Sequence, residues 1–169
     1  KNLINFSKTK KSPISIDLII SNTIKAKGLK YSNQYKIKKK ILNFKNIRIA
    51  EKRLLNLLKQ NKIQFICLAG FMKILSSKFI KQFNGKIINI HPSLLPRYKG
   101  LNTHSRAIQN KDKFTGCSVH YVTEQLDSGK IILQKKIKIL KKDIPKSLAE
   151  KVLKQEHKLY PKAILKIFN

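Results

Sequence analysis

Several residue types are scarce in this 169-residue sequence, which has 8 Asp and Glu, 6 Gly, 5 Pro, 2 Cys, 1 Met and no Trp. The two isolated cysteines, Cys67 and Cys117, form no CxxC pair or His/Cys cluster, which argues against a disulfide framework and predicts no metal site. No apolar run reaches the length of a membrane span or of a signal-peptide core. We therefore expect a soluble, cytoplasmic protein with one domain over residues 1–169.

Negative charge is also scarce, because 38 Lys and Arg outnumber 8 Asp and Glu and leave a formal charge of +30. Taken alone, this excess suggests a nucleic acid or another anionic partner. However, the lysines are spread along the whole chain, and the Arg contacts and interleaved aromatics typical of nucleic-acid surfaces do not appear. We interpret the charge mainly as solvated surface that also helps to capture anionic small molecules, and expect no nucleic-acid partner.

The pattern of apolar residues predicts alternating strands and helices. Helical spacing predicts a helix over residues 46–61 and a long final helix from Pro145. Short apolar runs predict strands over residues 14–21, 64–69, 115–122 and 130–140, and a further strand that begins at residue 86. Residues 22–43 are basic and poorly patterned, so we expect an irregular connection there. The order of elements predicts an α/β fold with a mostly parallel central sheet flanked by helices.

Residues 86–101 are the most informative stretch for function. They open with β-branched residues typical of a buried strand, on which Asn89 and His91 lie one residue apart and face the same side. Pro92 ends the strand, and open α/β sheets bind ligands at such carboxyl ends. An amide that donates to an oxyanion and a His that carries a proton suit transfer at a carbonyl-like carbon. Either residue alone would more often satisfy loop backbone groups, whereas the pair favours function.

The sequence Asn-Ile-His-Pro-Ser-Leu-Leu-Pro over residues 89–96 resembles the signature of the folate-dependent formyltransferases. Gly-Leu-Asn-Thr-His over residues 100–104 is similar to the glycinamide ribonucleotide branch of that family. The resemblance runs from about residue 2 to residue 168. It implies a Rossmann-like formyltransferase fold and transfer of the formyl group of 10-formyltetrahydrofolate to the amine of 5'-phosphoribosylglycinamide in de novo purine synthesis. It further implies small-molecule substrates, no metal, and a monomer or homodimer.

The resemblance also implies roles for individual residues. Asn89 and His91 would be catalytic, and Asp127 would face His91 and stabilise its charged form. Without the resemblance, Asp127 reads as a common turn residue. The residues implied to bind the folate co-substrate are Arg48, Met72, Lys73, Ile74, Leu75, Asn89, Thr123, Glu124, Gln125, Leu126 and Asp127. The residues implied to bind the phosphorylated substrate are Lys1, Asn2, Gln155 and Glu156.

Some of these positions have features of their own. Lys73 stands where the family has Arg, so the charge is kept but the planar fork is lost. Glu156 falls on the apolar face of the last helix, and an inward carboxylate needs a partner or a ligand. His120 and His157 match family positions and are assigned structural roles, while the role of His104 is left open.

The sequence departs from the family pattern in three places. The family's first strand and its Gly-rich phosphate loop are not matched, and Lys1 stands where a Ser is expected. Asn102 replaces a usual His, and the sequence stops at Asn169, before the family's usual C-terminal extension. From these departures we expect a formyltransferase domain that is truncated at both ends.

Two alternative functions remain open at this stage. The first is formylation of another amine, as in a methionyl-tRNA formyltransferase-like enzyme, for which binding of tRNA would weaken steeply with salt. The second is a non-catalytic basic protein that binds RNA on the same fold. Affinity for RNA without formyl transfer would favour that second alternative.

Overall fold

The computed structural model describes residues 1–169, and its helices and strands alternate in a way that confirms the predicted α/β class. The helices are α1 (Asn2–Ser7), α2 (Lys30–Gln34), α3 (Ile47–Gln60), α4 (Ser77–Gln82), α5 (Thr103–Gln109) and α6 (Pro145–Phe168). The strands are β1 (Leu18–Ser21), β2 (Lys38–Ile41), β3 (Phe65–Leu68), β4 (Lys86–His91), β5 (Phe114–Tyr121) and β6 (Ile131–Lys138). The chain divides into two compact units. The first comprises Lys1–Ile66 and Lys73–Lys86, and the second comprises Cys67–Met72 and Ile87–Asn169.

The first unit contains a parallel pair of strands, β1 and β2. Strand β1 begins only at Leu18, four residues later than predicted. Strand β2 and helix α2 lie inside residues 22–43, where the prediction of an irregular connection was wrong. All four residues of β2 are exposed, and three of them are lysines, so the strand has no alternating apolar face from which to recognise it. Lysines on an exposed strand of this kind oppose pairing with other chains.

Helix α3 of the first unit confirms the helix predicted over residues 46–61. It begins where the Asn46 side chain accepts a hydrogen bond from the Ile49 N–H at 3.2 Å. Its buried apolar face has the predicted helical spacing and consists of Ala50, Leu54 and Leu58. Glu51 is also buried and accepts hydrogen bonds from the backbone N–H and the hydroxyl of Ser76, at 2.6 and 2.5 Å. This carboxylate therefore joins α3 to the start of α4.

The second unit contains β5, β6 and most of β4, which belong to a four-stranded sheet with the strand order β3–β4–β5–β6. Strand β5 runs antiparallel to both β4 and β6, with Asn89 opposite His120 and His91 opposite Ser118. The parallel arrangement predicted for most of the sheet therefore does not extend to these pairs. Strands β5 and β6 pair antiparallel because their connection is short, whereas parallel neighbours need a crossover of a dozen or more residues.

Helix α6 covers β5 and β6 with an apolar face, of which the spacing predicted Leu148, Val152, Leu159 and Ala163 correctly but Ile167 in place of Ile164. The buried residues of this face are Leu148, Val152, Leu159, Ala163 and Ile164. Burying such aliphatic side chains stabilises the contact by roughly 1.5–3 kcal/mol each. The Tyr160 hydroxyl donates to the carbonyl of Leu68 at 2.8 Å and lies 3.2 Å from that of Ile88, which anchors the helix beside β4. None of the helices combines the length and the apolar character needed to cross a membrane.

Candidate active site

Strand β4 carries two polar side chains at the end of an otherwise apolar strand. Ile88 is fully buried, whereas Asn89 is half-buried and His91 is the last residue of the strand. Alternate residues of a strand face the same side, so Asn89 and His91 project together, as the sequence predicted. Pro92 follows and the chain leaves the sheet there.

The carboxylate of Asp127 joins two histidine rings beside the end of β4. Its Oδ2 atom lies 3.3 Å from His91 Nδ1, and its Oδ1 atom lies 3.5 Å from His120 Nε2. The His120 Nε2 atom also lies 3.3 Å from Nδ2 of Asn89. Asn89, His91, His120 and Asp127 therefore form one group of contacting side chains, which we call the Asp127 cluster.

The Asp127 cluster is shielded from solvent. The exposed fraction is 5% for His91 and 2% for His120, and the Asp127 side chain is 8% exposed. Burial by itself would raise the pKa of the Asp127 carboxyl. The Gly100 N–H, which donates to Oδ2 at 2.9 Å, and the charge on His91 outweigh burial and hold that pKa below its ordinary value. Asp127 is therefore an anion at neutral pH.

The two ring nitrogens of His91 both face hydrogen-bond acceptors. Nε2 lies 2.8 Å from the carbonyl oxygen of Tyr98, and Nδ1 faces the Asp127 carboxylate. A carbonyl or carboxylate oxygen can only accept, so both nitrogens of a doubly protonated His91 ring would find acceptors. The arrangement therefore suits an imidazolium, with one nitrogen facing Asp127 and the other facing the Tyr98 carbonyl.

Ser118 of β5 forms hydrogen bonds with the loop that follows His91. This fully buried residue donates to the carbonyl of Ser93 at 2.6 Å and accepts from the Leu95 N–H at 3.1 Å. Gln134 of β6 donates to Ser118 Oγ at 2.8 Å and to the Leu95 carbonyl at 2.9 Å. The sequence analysis missed both residues. The sequence signal for Ser118 was a single Ser in a strand that is otherwise mostly apolar. Its role can be recognised only when the residues that it contacts are known.

His120, to which the sequence analysis assigned a structural role, makes contacts that the sequence did not predict. The structure places its ring inside the Asp127 cluster, opposite Asn89 in the register of β4 and β5. A single His between Val119 and Tyr121 in a buried strand looks like a satisfied core residue. Only the pairing of the two strands brings its ring to the cluster.

His104, whose role the sequence left open, lies in the first turn of α5, and its Nδ1 atom is buried without a hydrogen-bond partner. Burial, together with the charge on His91, lowers the pKa of the His104 ring. His104 is therefore a neutral neighbour of the charged His91.

The remaining predicted residues of the second unit lie on three segments of the chain. Residues 123–126 form the exposed loop that leads into Asp127, and the side chain of Leu126 lies close to Gly100. Gln155 and Glu156 are half-buried on α6. Burial raises the pKa of Glu156, and no partner offsets that effect. Met72 is 71% exposed at the end of the short segment that follows β3.

The other predicted residues lie in the first unit. Lys1 and Asn2 form the start of α1, and Arg48 is exposed in the first turn of α3. Lys73 and Ile74 are exposed before α4, whereas Leu75 is buried, so its side chain belongs to the core of that unit. A role of these residues in binding stays a prediction. No group of three or more His, Cys, Asp or Glu side chains is arranged to hold a metal ion.

Comparison with known proteins gives matches over nearly the whole chain. The family model described as "Formyl transferase" matches residues 1–164. Phosphoribosylglycinamide formyltransferase of Haemophilus influenzae is 41% identical over 155 residues, which are 90% of this chain and 73% of that protein. The human trifunctional purine biosynthetic protein adenosine-3 is 39% identical over 165 residues, which are 96% of this chain but only 16% of that protein's length.

A solved structure gives the same result. The crystal structure of phosphoribosylglycinamide formyltransferase from Brucella melitensis superimposes with a TM-score of 0.92 and 39% identity, covering 98% of this chain and 87% of that one. The family match, the similar relatives and the Asp127 cluster agree with one another. The chain therefore belongs to the formyl transferase family.

Proposed function

We propose that this chain transfers the formyl group of 10-formyltetrahydrofolate to the amine of 5'-phosphoribosylglycinamide, a step of de novo purine synthesis. The observation that carries this proposal is the Asp127 cluster, in which an amide donor and a charged His lie side by side at the end of a strand. Both groups suit a reaction in which a carbonyl oxygen becomes negative. The names of the similar proteins support the choice of substrates.

The proposed reaction begins when the amine nitrogen of the substrate attacks the formyl carbon. The carbonyl electrons move to oxygen and give a tetrahedral oxyanion, to which the Asn89 amide and the His91 imidazolium donate hydrogen bonds. His91 Nε2–H exchanges the Tyr98 carbonyl for this stronger, charged acceptor. A proton then passes from the attacking nitrogen to the leaving nitrogen of the folate. The oxyanion collapses, the bond from carbon to the folate nitrogen breaks, and tetrahydrofolate leaves.

Asp127 supports this chemistry without contacting the transferred group. Its carboxylate holds His91 Nδ1–H and is itself fixed by the Gly100 N–H at 2.9 Å. The nearby negative charge would stabilise an imidazolium at His91 while the oxyanion forms. We further propose that Met72 and the exposed loop of residues 123–126 contact the folate.

We also propose binding residues for the phosphorylated substrate. The Glu156 carboxylate is partly desolvated and lacks a donor, so a hydroxyl or amine of the substrate would supply one. Gln155 lies next to it on α6 and would add an amide contact. Lys1 and Asn2 would contact the substrate phosphate at the start of α1.

The test is formyl transfer from 10-formyltetrahydrofolate to 5'-phosphoribosylglycinamide, measured for the wild type, His91→Ala and the control His157→Ala. His157 is an exposed histidine of α6 outside the Asp127 cluster. We expect His91→Ala to lower kcat by about 10²–10⁴-fold, the usual contribution of a positioned proton-carrying group, and His157→Ala to match the wild type. Wild-type turnover in His91→Ala would refute the proposal.

A further inference from the structure

The ring of His120 contacts three different groups, and their chemistry fixes where its hydrogen lies. Nδ1 is 2.9 Å from the carbonyl oxygen of Tyr121, which can only accept, so Nδ1 carries a hydrogen. Nε2 faces Asn89 Nδ2 at 3.3 Å and Asp127 Oδ1 at 3.5 Å. A neutral ring has a lone pair at Nε2 and accepts from the amide, whereas an imidazolium donates to the carboxylate.

The neighbouring groups decide between these two states of His120. His91 and His120 both contact Asp127. Both nitrogens of His91 face acceptors, so the additional proton of an imidazolium finds a hydrogen-bond acceptor on His91. A second imidazolium on the other side of the same carboxylate would be repelled by the first. His104, the remaining titratable group close to the cluster, is a neutral neighbour of His91. His120 is therefore the neutral ring of the pair.

We propose that His120 is a positioning residue which accepts a hydrogen bond from Asn89 Nδ2 and so holds the amide with its NH₂ end toward Asp127 and His91. This inference rests on the proposed function, because the NH₂ end is the one that stabilises an oxyanion. The amide of Asn89 has no intrinsic preference between its two orientations, since its oxygen and nitrogen have nearly the same shape. The lone pair of His120 supplies that preference.

The kinetic test compares His120→Leu, which fills the space without an acceptor, with His120→Gln, whose side-chain oxygen can accept from Asn89. His157→Leu is the control. We expect His120→Leu to lower kcat by about 10-fold or more, short of the 10²–10³-fold cost of removing an oxyanion donor, with KM for both substrates little changed. His120→Gln should recover part of the loss, because its side-chain oxygen replaces the acceptor. Unchanged kcat in a folded His120→Leu would overturn the proposal.

A second measurement does not depend on turnover. Nitrogen NMR of the full wild-type chain should show His120 neutral and protonated at Nδ1 near pH 7, and the Asn89 side-chain NH₂ signals should shift in His120→Gln. A ring protonated at Nε2 at this pH would overturn the proposal. If the wild type shows the expected NMR state but transfers no formyl group to 5'-phosphoribosylglycinamide, the proposed function fails and the hydrogen bond that holds Asn89 stands.

Discussion

The second unit contains two aspartates that are shielded from solvent and contact different kinds of basic side chain. Asp127 contacts the rings of His91 and His120, whereas Asp143 contacts Lys151 Nζ at 2.6 and 2.7 Å. The side chains are 8% and 3% exposed. Hydrogen bonds from Lys151 and from the Leu140 N–H lower the pKa of Asp143, so both carboxyl groups have a pKa below the ordinary value.

The difference between the two sites is whether the charge of the partner can change. Lys151 stays charged throughout the neutral range, so Asp143 is permanently neutralised at the start of α6 and has a structural role. The partners of Asp127 are histidine rings, a side-chain type that can gain or lose a proton near neutral pH. Burial and a lowered pKa alone therefore do not identify a catalytic carboxylate, whereas the chemistry of its partners does.

The largest expected effect is on turnover, and it should separate the two sites. Asp127→Asn keeps an oxygen for the Gly100 N–H, and Asn tolerates the left-handed backbone of this position, where φ is 46°. The fold should therefore survive while His91 loses the charge that keeps it protonated. We expect kcat for formyl transfer to fall by about 10²–10⁴-fold in Asp127→Asn and to stay near wild type in Asp143→Asn. Equal losses in the two variants would contradict the comparison.

Stability should show the opposite order. Asp143→Asn breaks the ion pair at the start of α6, and we expect it to lower the melting temperature by several degrees, more than Asp127→Asn does. Because the folded pKa of Asp143 is below the ordinary 3.8, its contribution is present above that pH and disappears as the pH falls through the folded value. The difference in melting temperature from the wild type should therefore be largest near neutral pH and should disappear in acid. A difference that grows in acid would exclude this explanation.

The sequence predicted the elements and residues that depend on local pattern. Helix α3 follows from its apolar spacing, and the end of β4 follows from a β-branched run that stops at Pro92. Asn89 and His91 could be chosen from the same pattern, because two polar side chains on one face of a buried strand are unusual. Strand β2 could not, because backbone pairing with β1 holds it and none of its side chains is buried.

The rest of the cluster depends on which strands are neighbours. Asp127 was predicted only through the resemblance to a family, since an Asp before Ser-Gly is also an ordinary turn residue. His120 and Ser118 acquire their roles from the register of β4 with β5, in which they lie opposite Asn89 and His91. Strand register joins residues that are about thirty positions apart, and no local periodicity encodes it.

Glu156 extends the comparison to a third carboxylate, one that has no partner within the chain. Burial alone raises its pKa, so keeping it charged costs folding free energy, whereas Asp127 and Asp143 each gain from their donors. We expect Glu156→Gln to raise the melting temperature by about 2–4 °C near neutral pH, on the order of 1 kcal/mol, while it weakens binding of the phosphorylated substrate.

The sign of the pH dependence makes this last prediction specific. A carboxyl group with a raised folded pKa destabilises the protein as the pH rises from the ordinary 4.5 through the folded value. The advantage of Glu156→Gln should therefore appear over that range and vanish in acid, where the wild-type carboxyl is protonated. Melting curves at several pH values, with the exposed Glu150→Gln of the same helix as control, would measure it. An advantage that persists in acid would show that the gain comes from packing and that Glu156 bears no desolvated charge.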